Sequence, residues 1–102
     1  MAKFMVISRQ ADTPVPMDLL KKLLPAQFSY IKGLEQSGKM ECNYGIAGMK
    51  GGLGIINAES HAELQKIVSG YPMFPFIKLE IYPLMNAEDT EKAGLEMLNR
   101  LP

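Results

Sequence analysis

The sequence predicts an α+β fold in which strands and helices follow the order β-α-β-β-α-β, with one more helix at the C-terminus. Three observations carry that prediction. Short apolar runs of strand character are bounded by Gly and Pro. One long stretch, Met17 to Leu34, repeats its apolar residues at spacings of three and four. Ser60-His61-Ala62-Glu63 is a capping box, in which the Ser60 hydroxyl accepts from the Glu63 N–H and the Glu63 carboxylate reaches back.

Taken in order, Ala2 to Ser8 is apolar, short and closed by polar residues, as a strand should be. Pro14 and Pro16 make the following segment a loop, because two prolines so close cannot join a ladder. A helix starts near Asp18 and carries Met17, Leu20, Leu24, Phe28, Ile31 and Leu34 on one stripe. Pro25 lies inside it, and an interior proline costs roughly 3 kcal/mol, so a kink or break is expected at Leu24-Pro25. Gly38 is a left-handed cap. Met40 to Ile46 alternates, which puts Met40, Cys42, Tyr44 and Ile46 on one face of a second strand. Gly48 to Gly52 is a turn, and Leu53 to Ala58 completes a hairpin. The helix opened by Ser60 buries Leu64, Ile67 and Val68 and ends at Gly70. In GYPMFPFIKLEIYPL, residues 70–84, the prolines bracket a strand from about Phe76 to Tyr82, with Pro83 closing it. Ile77, Leu79 and Ile81 then face the helices, and Phe76, Lys78, Glu80 and Tyr82 face the other way. The last helix runs from about Ala87 to Leu101, with Glu88 and Asp89 at its N-terminal dipole end and Ala93, Met97, Leu98 and Leu101 as its apolar stripe.

This element order is the ferredoxin-like pattern, a sheet with helices on one face. Apolar residues on both faces of the first strand, Phe4 and Val6 against Met5 and Ile7, imply that a second subunit covers the open face. The expectation is a single domain over residues 1–102 whose sheets pair into a dimeric α+β barrel, with residues 86–102 at a subunit interface.

Bulk properties narrow the function. At 102 residues and 47% hydrophobic, the chain suffices for one core. Eleven Lys+Arg balance eleven Asp+Glu, so no charge excess draws nucleic acid or a membrane surface. The apolar run Phe4 to Ile7 is too short for an export signal or a membrane span, which makes the cytoplasm the default. One cysteine excludes an internal disulfide, and one His with one Cys argues against a metal site. The glycines from Gly48 to Gly54 lack a phosphate-loop pattern.

Pro72-Met73-Phe74-Pro75-Phe76 leading into Leu79-Glu80-Ile81, with Leu34 to Gly38 and Ile46-Ala47-Gly48 upstream, resembles the muconolactone delta-isomerase family over roughly Lys3 to Leu84. The resemblance implies a dimeric α+β barrel, assembled into a larger ring such as a decamer. It also implies cofactor-free transfer of a proton between two carbons of a small lactone. The chain departs from the family pattern at Gln27 and Ser29, where acids are expected. It departs again at Glu41, Cys42 and Gly45, where Arg and His are expected.

Candidate site residues follow from these readings. Glu80, matched to the family motif, is the candidate base, and an apolar barrel would raise its pKa toward a useful range. Lys78, two residues away, would hold a substrate carboxylate or a developing enolate oxygen. The plainer alternative for both is a cross-strand ion pair. Tyr44 and Tyr82 are donors or packing anchors, and Phe76 is a pocket wall. Cys42 is a ligand contact or a small hydrophobe. His61 is a neutral proton shuttle or a solvated first-turn residue. The functional expectation is a protein that binds a small lactone or anionic metabolite and isomerises it. The alternatives are a non-catalytic binding or assembly member, or another barrel enzyme such as a cyclase or cofactor-free oxygenase.

Overall fold

A computed structural model describes all 102 residues. Its elements are β1 (Ala2–Gln10), α1 (Met17–Gln36), β2 (Met40–Gly45), β3 (Gly51–Ala58), α2 (His61–Ser69), β4 (Ile77–Leu84) and α3 (Ala87–Asn99), with a 3₁₀ turn at Phe74–Phe76 before β4. The strands make one antiparallel sheet in the order β2-β3-β1-β4, the ferredoxin-like arrangement that the sequence predicts.

Register explains the two faces. Phe4 lies opposite Ile56 and Pro83, and Val6 lies opposite Gly54 and Ile81. This inner face packs on Ile31 and Leu34 of α1 and on Leu64, Ile67 and Val68 of α2, forming the core. Each large apolar side chain so buried contributes about 1.5–3 kcal/mol. Ile77, Leu79 and Ile81 pack against the edge of that core, as expected. The outer face carries Met5, Ile7, Leu53 and Ile55, all half-buried within a single chain and without a helix over them.

The caps follow the chemistry read from the sequence in all but one contact: the Glu63 carboxylate accepts from Glu59 N at 3.4 Å rather than reaching back to Ser60. Ser60 Oγ accepts from Glu63 N at 3.1 Å. After α1, Gly38 takes φ +79°, Lys39 N donates to Leu34 O at 3.0 Å and Gly38 N to Glu35 O at 3.2 Å, the pair of bonds of a Schellman ending. Gly70 ends α2 for a different reason. Its φ is −79°, but a Cβ there would collide with the Tyr30 hydroxyl.

Four local expectations are corrected. Pro25 does not break α1, which runs unbroken through it; the proline sits on the solvent side of the helix, where a carbonyl that lacks its usual N–H partner is open to solvent. Pro83 lies within β4 rather than after it, tolerated because β4 is an edge strand. Phe76 belongs to the 3₁₀ turn and not to the strand. In β2 a bulge between Met40 and Cys42 adds Glu41 to the strand, so Met40 faces the core while Cys42 and Tyr44, opposite Ile55 and Leu53, face outward. The alternation read for Met40, Cys42, Tyr44 and Ile46 therefore does not survive the extra residue.

α3 stands apart. None of its residues is buried, and the molecule extends 61 Å along one axis against 29 and 24 Å along the others. The radius of gyration is 16.7 Å, against about 13 Å for a compact chain of this length.

Candidate functional site

Two places in the fold gather functional groups, one on each side of the sheet. On the inner side, a cleft of about 630 Å³ opens between the sheet and α1. Val6, Leu20, Leu24, Phe28, Ile31 and Phe76 contribute apolar wall. Glycine creates part of the room, since β3 presents Gly52 and Gly54 to this face instead of side chains. A Cβ at Gly54 would press on Met40 Cε at 3.0 Å.

Polar groups enter the cleft from several elements. Gln27 of α1 accepts from Met73 N through Oε1 at 3.1 Å, which ties the loop before β4 to the helix and leaves the amide NH₂ to donate. Tyr71 is buried to 5% exposure and stacks edge-on against Tyr30 at 5.6 Å. Burial, and then the neighbouring Tyr30, push its pKa up to about 12, so its hydroxyl stays protonated at neutral pH. Ser8, Gln10 and Asn43 add further neutral polar groups. Arg9 and Lys50 are the charged lining residues, and no carboxylate, imidazole or thiol lines the cleft. Register sets Arg9 and Tyr44 on the outer face, so they border the cleft where the sheet ends.

On the outer side, Lys78, Glu80 and Tyr82 of β4 lie opposite Arg9, Ile7 and Met5 of β1. Arg9 Nε donates to Glu80 Oε1 at 2.7 Å, and Tyr82 Oη donates to Glu80 Oε2 at 2.9 Å. Lys78 Nζ pairs with Asp12 Oδ2 at 3.0 Å rather than with Glu80. The expected raised pKa of Glu80 is corrected. The hydrogen bonds from Arg9 and Tyr82 and the Arg9 charge hold the carboxyl below its usual range and outweigh desolvation. The same contact raises the pKa of Tyr82. Glu80 is thus ionised with both oxygens engaged, one across the sheet by Arg9 and one along its own strand by Tyr82, while Lys78 pairs with the loop after β1.

The six residues nominated from sequence therefore separate. Cys42, Tyr44, Lys78, Glu80 and Tyr82 share the outer face, although Tyr44 also borders the cleft, and Phe76 lines the cleft. His61 is exposed and packs edge-on against Phe4 at 5.8 Å. Sequence reasoning did not nominate Ser8, Asn43 or Tyr71. The available signal was the pair Gly52 and Gly54, which marked a close approach or a ligand on that face of β3.

Comparison with known proteins decides the family. The family model for muconolactone delta-isomerase matches residues 4–89. The chain belongs to the muconolactone delta-isomerase family. Muconolactone delta-isomerase 1 of Acinetobacter lwoffii is 30% identical over 70 residues, 69% of this chain and 73% of that protein. Muconolactone delta-isomerase of Rhodococcus opacus is 33% identical over 77 residues, 72% and 83% of the two chains. In three dimensions, the crystal structure of muconolactone isomerase superposes with a TM-score of 0.75 at 21% identity, covering 82% of this chain and 88% of that one. The 5-chloro-2-hydroxyhydroquinone dehydrochlorinase of Burkholderia phenoliruptrix, solved with 2,5-dihydroxybenzoquinone, superposes at 0.59 and 18% identity, covering 84% and 97%. Both superpositions speak to the fold. The family match stops within the first turn of α3, so most of that helix lies beyond it.

Proposed function

We propose that this chain is an isomerase-type protein that binds a small lactone-like, anionic metabolite and shifts a double bond in it by proton transfer without a cofactor. The observation that supports it best is the inner cleft. Its volume of about 630 Å³ falls in the range of small-molecule sites, and its walls are apolar. Its charged residues are both cationic, and Lys50, unlike the Glu80-paired Arg9, is in no ion pair and suits a carboxylate. The protonated Tyr71 hydroxyl and the Gln27 amide are donors suited to a lactone carbonyl.

Proton transfer needs a base, and the cleft lining supplies no carboxylate or imidazole. A second location is therefore weighed for the chemistry. Glu80 lies ionised on an outer face that carries Met5, Ile7, Leu53 and Ile55. If two copies pack these faces together, Glu80 becomes a base inside a barrel, Lys78 the partner of the substrate carboxylate, and Cys42, Tyr44 and Tyr82 its walls. The homodimer, and any ring built from it, belongs to this proposal.

Proton NMR of muconolactone and related butenolides in D₂O tests both locations. The wild type is compared with Glu80→Gln and with Leu24→Trp, which fills the cleft. Deuterium uptake beside the carbonyl that only Glu80→Gln abolishes assigns the chemistry to the outer face. Uptake that only Leu24→Trp abolishes assigns it to the cleft. Absence of uptake with every lactone, together with unshifted protein resonances, would sink the proposal and leave a non-catalytic assembly role.

A further inference from the structure

We infer that the groove between α1 and α2 is a second binding site, suited to a small apolar monocarboxylate and separate from the cleft described above. It lies on the helical side of the sheet, so pairing of the outer faces would leave it open.

Both helices turn one stripe of residues into the groove. α1 supplies Tyr30, Leu34 and Ser37, and α2 supplies Lys66, Ile67 and Gly70. Residues three and four apart share a helix face, which is why each set lines up. The space between them is about 550 Å³, within the range of small-molecule sites. Its floor is the roof of the core, because Leu34 and Ile67 are almost entirely buried beneath it. Tyr30 forms one wall. Its hydroxyl donates to Ile67 O at 2.7 Å, and this bond ties the two helices together at a fixed spacing. The same carbonyl accepts from Gly70 N at 3.2 Å, so the end of α2 is held from both sides. Gly70 is needed for that bridge, since a Cβ would occupy the place of the Tyr30 hydroxyl.

The rim sets the charge of the occupant. Lys39, Glu63 and Lys66 are the charged residues that line the groove. Lys39 Nζ pairs with Glu63 Oε1 at 3.5 Å, and the two charges offset each other. Lys66 is in no ion pair. The groove therefore carries one uncompensated positive charge above an apolar floor. Ser37 Oγ already donates to Leu34 O at 3.1 Å, so the lysine ammonium groups are the side-chain donors left for an anion. A singly charged carboxylate on Lys66 matches this rim, with its apolar body lying over Leu34 and Ile67. A dianion such as phosphate would set its second negative charge against Glu63 and would leave the apolar floor in water.

Titration of ¹⁵N-labelled protein with phenylacetate, followed by amide NMR shifts, tests the assignment. Phenylacetamide keeps the ring and removes the charge. The expected result is a set of saturable shifts gathered at Ser37, Lys39, Lys66, Ile67 and Gly70, with phenylacetamide binding about tenfold more weakly. Lys66→Gln should weaken phenylacetate about threefold. Glu63→Gln should strengthen it about threefold, because it frees Lys39 and removes a like charge. A gain in affinity is not something a damaged fold produces, and the amide spectrum shows directly that each variant is folded. Lys50→Gln, in the cleft, should leave the groove shifts as they are. Shifts that gather only at Gly52 and Gly54 of the cleft would overturn the inference. So would shifts that rise without saturating, equal binding of phenylacetamide, or a Glu63→Gln chain that binds no tighter. None of these readouts involves lactone turnover, so failure of the isomerase reading would leave the result for the groove intact.

Discussion

Raising the pH should destabilise this protein through Tyr71. In the folded chain its hydroxyl is buried beside Tyr30, with a pKa of about 12 against 10.0 for an unhindered tyrosine. The unfolded chain therefore gives up this proton first as pH rises, and between pH 10 and 12 the folded state binds more protons than the unfolded one. Stability from this group is complete below pH 10 and is lost as pH climbs through 12. Each tenfold difference in proton affinity is worth 1.36 kcal/mol, so the two-decade window amounts to about 3 kcal/mol. That is a large share of the roughly 5–15 kcal/mol that holds a domain together. Urea unfolding at half-unit steps from pH 8 to 12 measures it, with tyrosinate absorbance reporting ionisation. Tyr71→Phe removes the titrating group but keeps the ring, so its stability should fall much less across the window. Tyr82→Phe should change the slope far less, because that ring is exposed and only its contact with Glu80, screened by solvent, raises its pKa. A Tyr71→Phe curve parallel to wild type between pH 10 and 12 would refute the reasoning.

Three further outcomes are expected. Gly51→Ala drives a Cβ into the Ser8 carbonyl, backbone against backbone, and should cost at least 1–3 kcal/mol in urea unfolding. Ile56→Ala empties a fully buried position at the centre of the sheet and should cost about 2–5 kcal/mol, read as a lower urea midpoint at constant slope. Two N-caps should behave differently: Ser60→Ala, under the packed α2, should cost about 1 kcal/mol of global stability. Asn86→Ala, whose Oδ1 accepts from Asp89 N at 2.8 Å, should lower helical circular dichroism and leave the urea midpoint of the dilute chain unchanged, because α3 is not packed on the domain.

The fold was legible because local signals agreed with the global arrangement. The alternation of Phe4 and Val6 with Met5 and Ile7, the capping box at Ser60 and the left-handed Gly38 each encode one element, and the element order then restricts the topology. Prolines were read too strictly. Pro25 and Pro83 are tolerated by a solvent-facing helix side and an edge strand, which are properties of the assembled fold and not of the neighbouring residues. The site was less legible for a similar reason. Glu41 is one unpaired residue whose effect shows only against β3, and it decides which face Cys42 and Tyr44 occupy. Met73 and Gln27 are 46 positions apart and meet only because the loop before β4 folds onto α1, which also brings Tyr71 to the same cleft. A carboxylate in an apolar strand suggested a hydrophobic setting for Glu80, but Arg9, 71 residues away, supplies the opposite influence.

Both lateral borders of the sheet are spoiled as templates. At one border Pro83 has no N–H to offer and Lys78 adds a charge, and at the other Glu41 throws the ladder out of step. A strand from another molecule arriving at either side would find an interrupted row of donors and acceptors. Growth by strand addition, the route to fibrils, is thereby hindered at both borders of the sheet, even though its outer face is apolar.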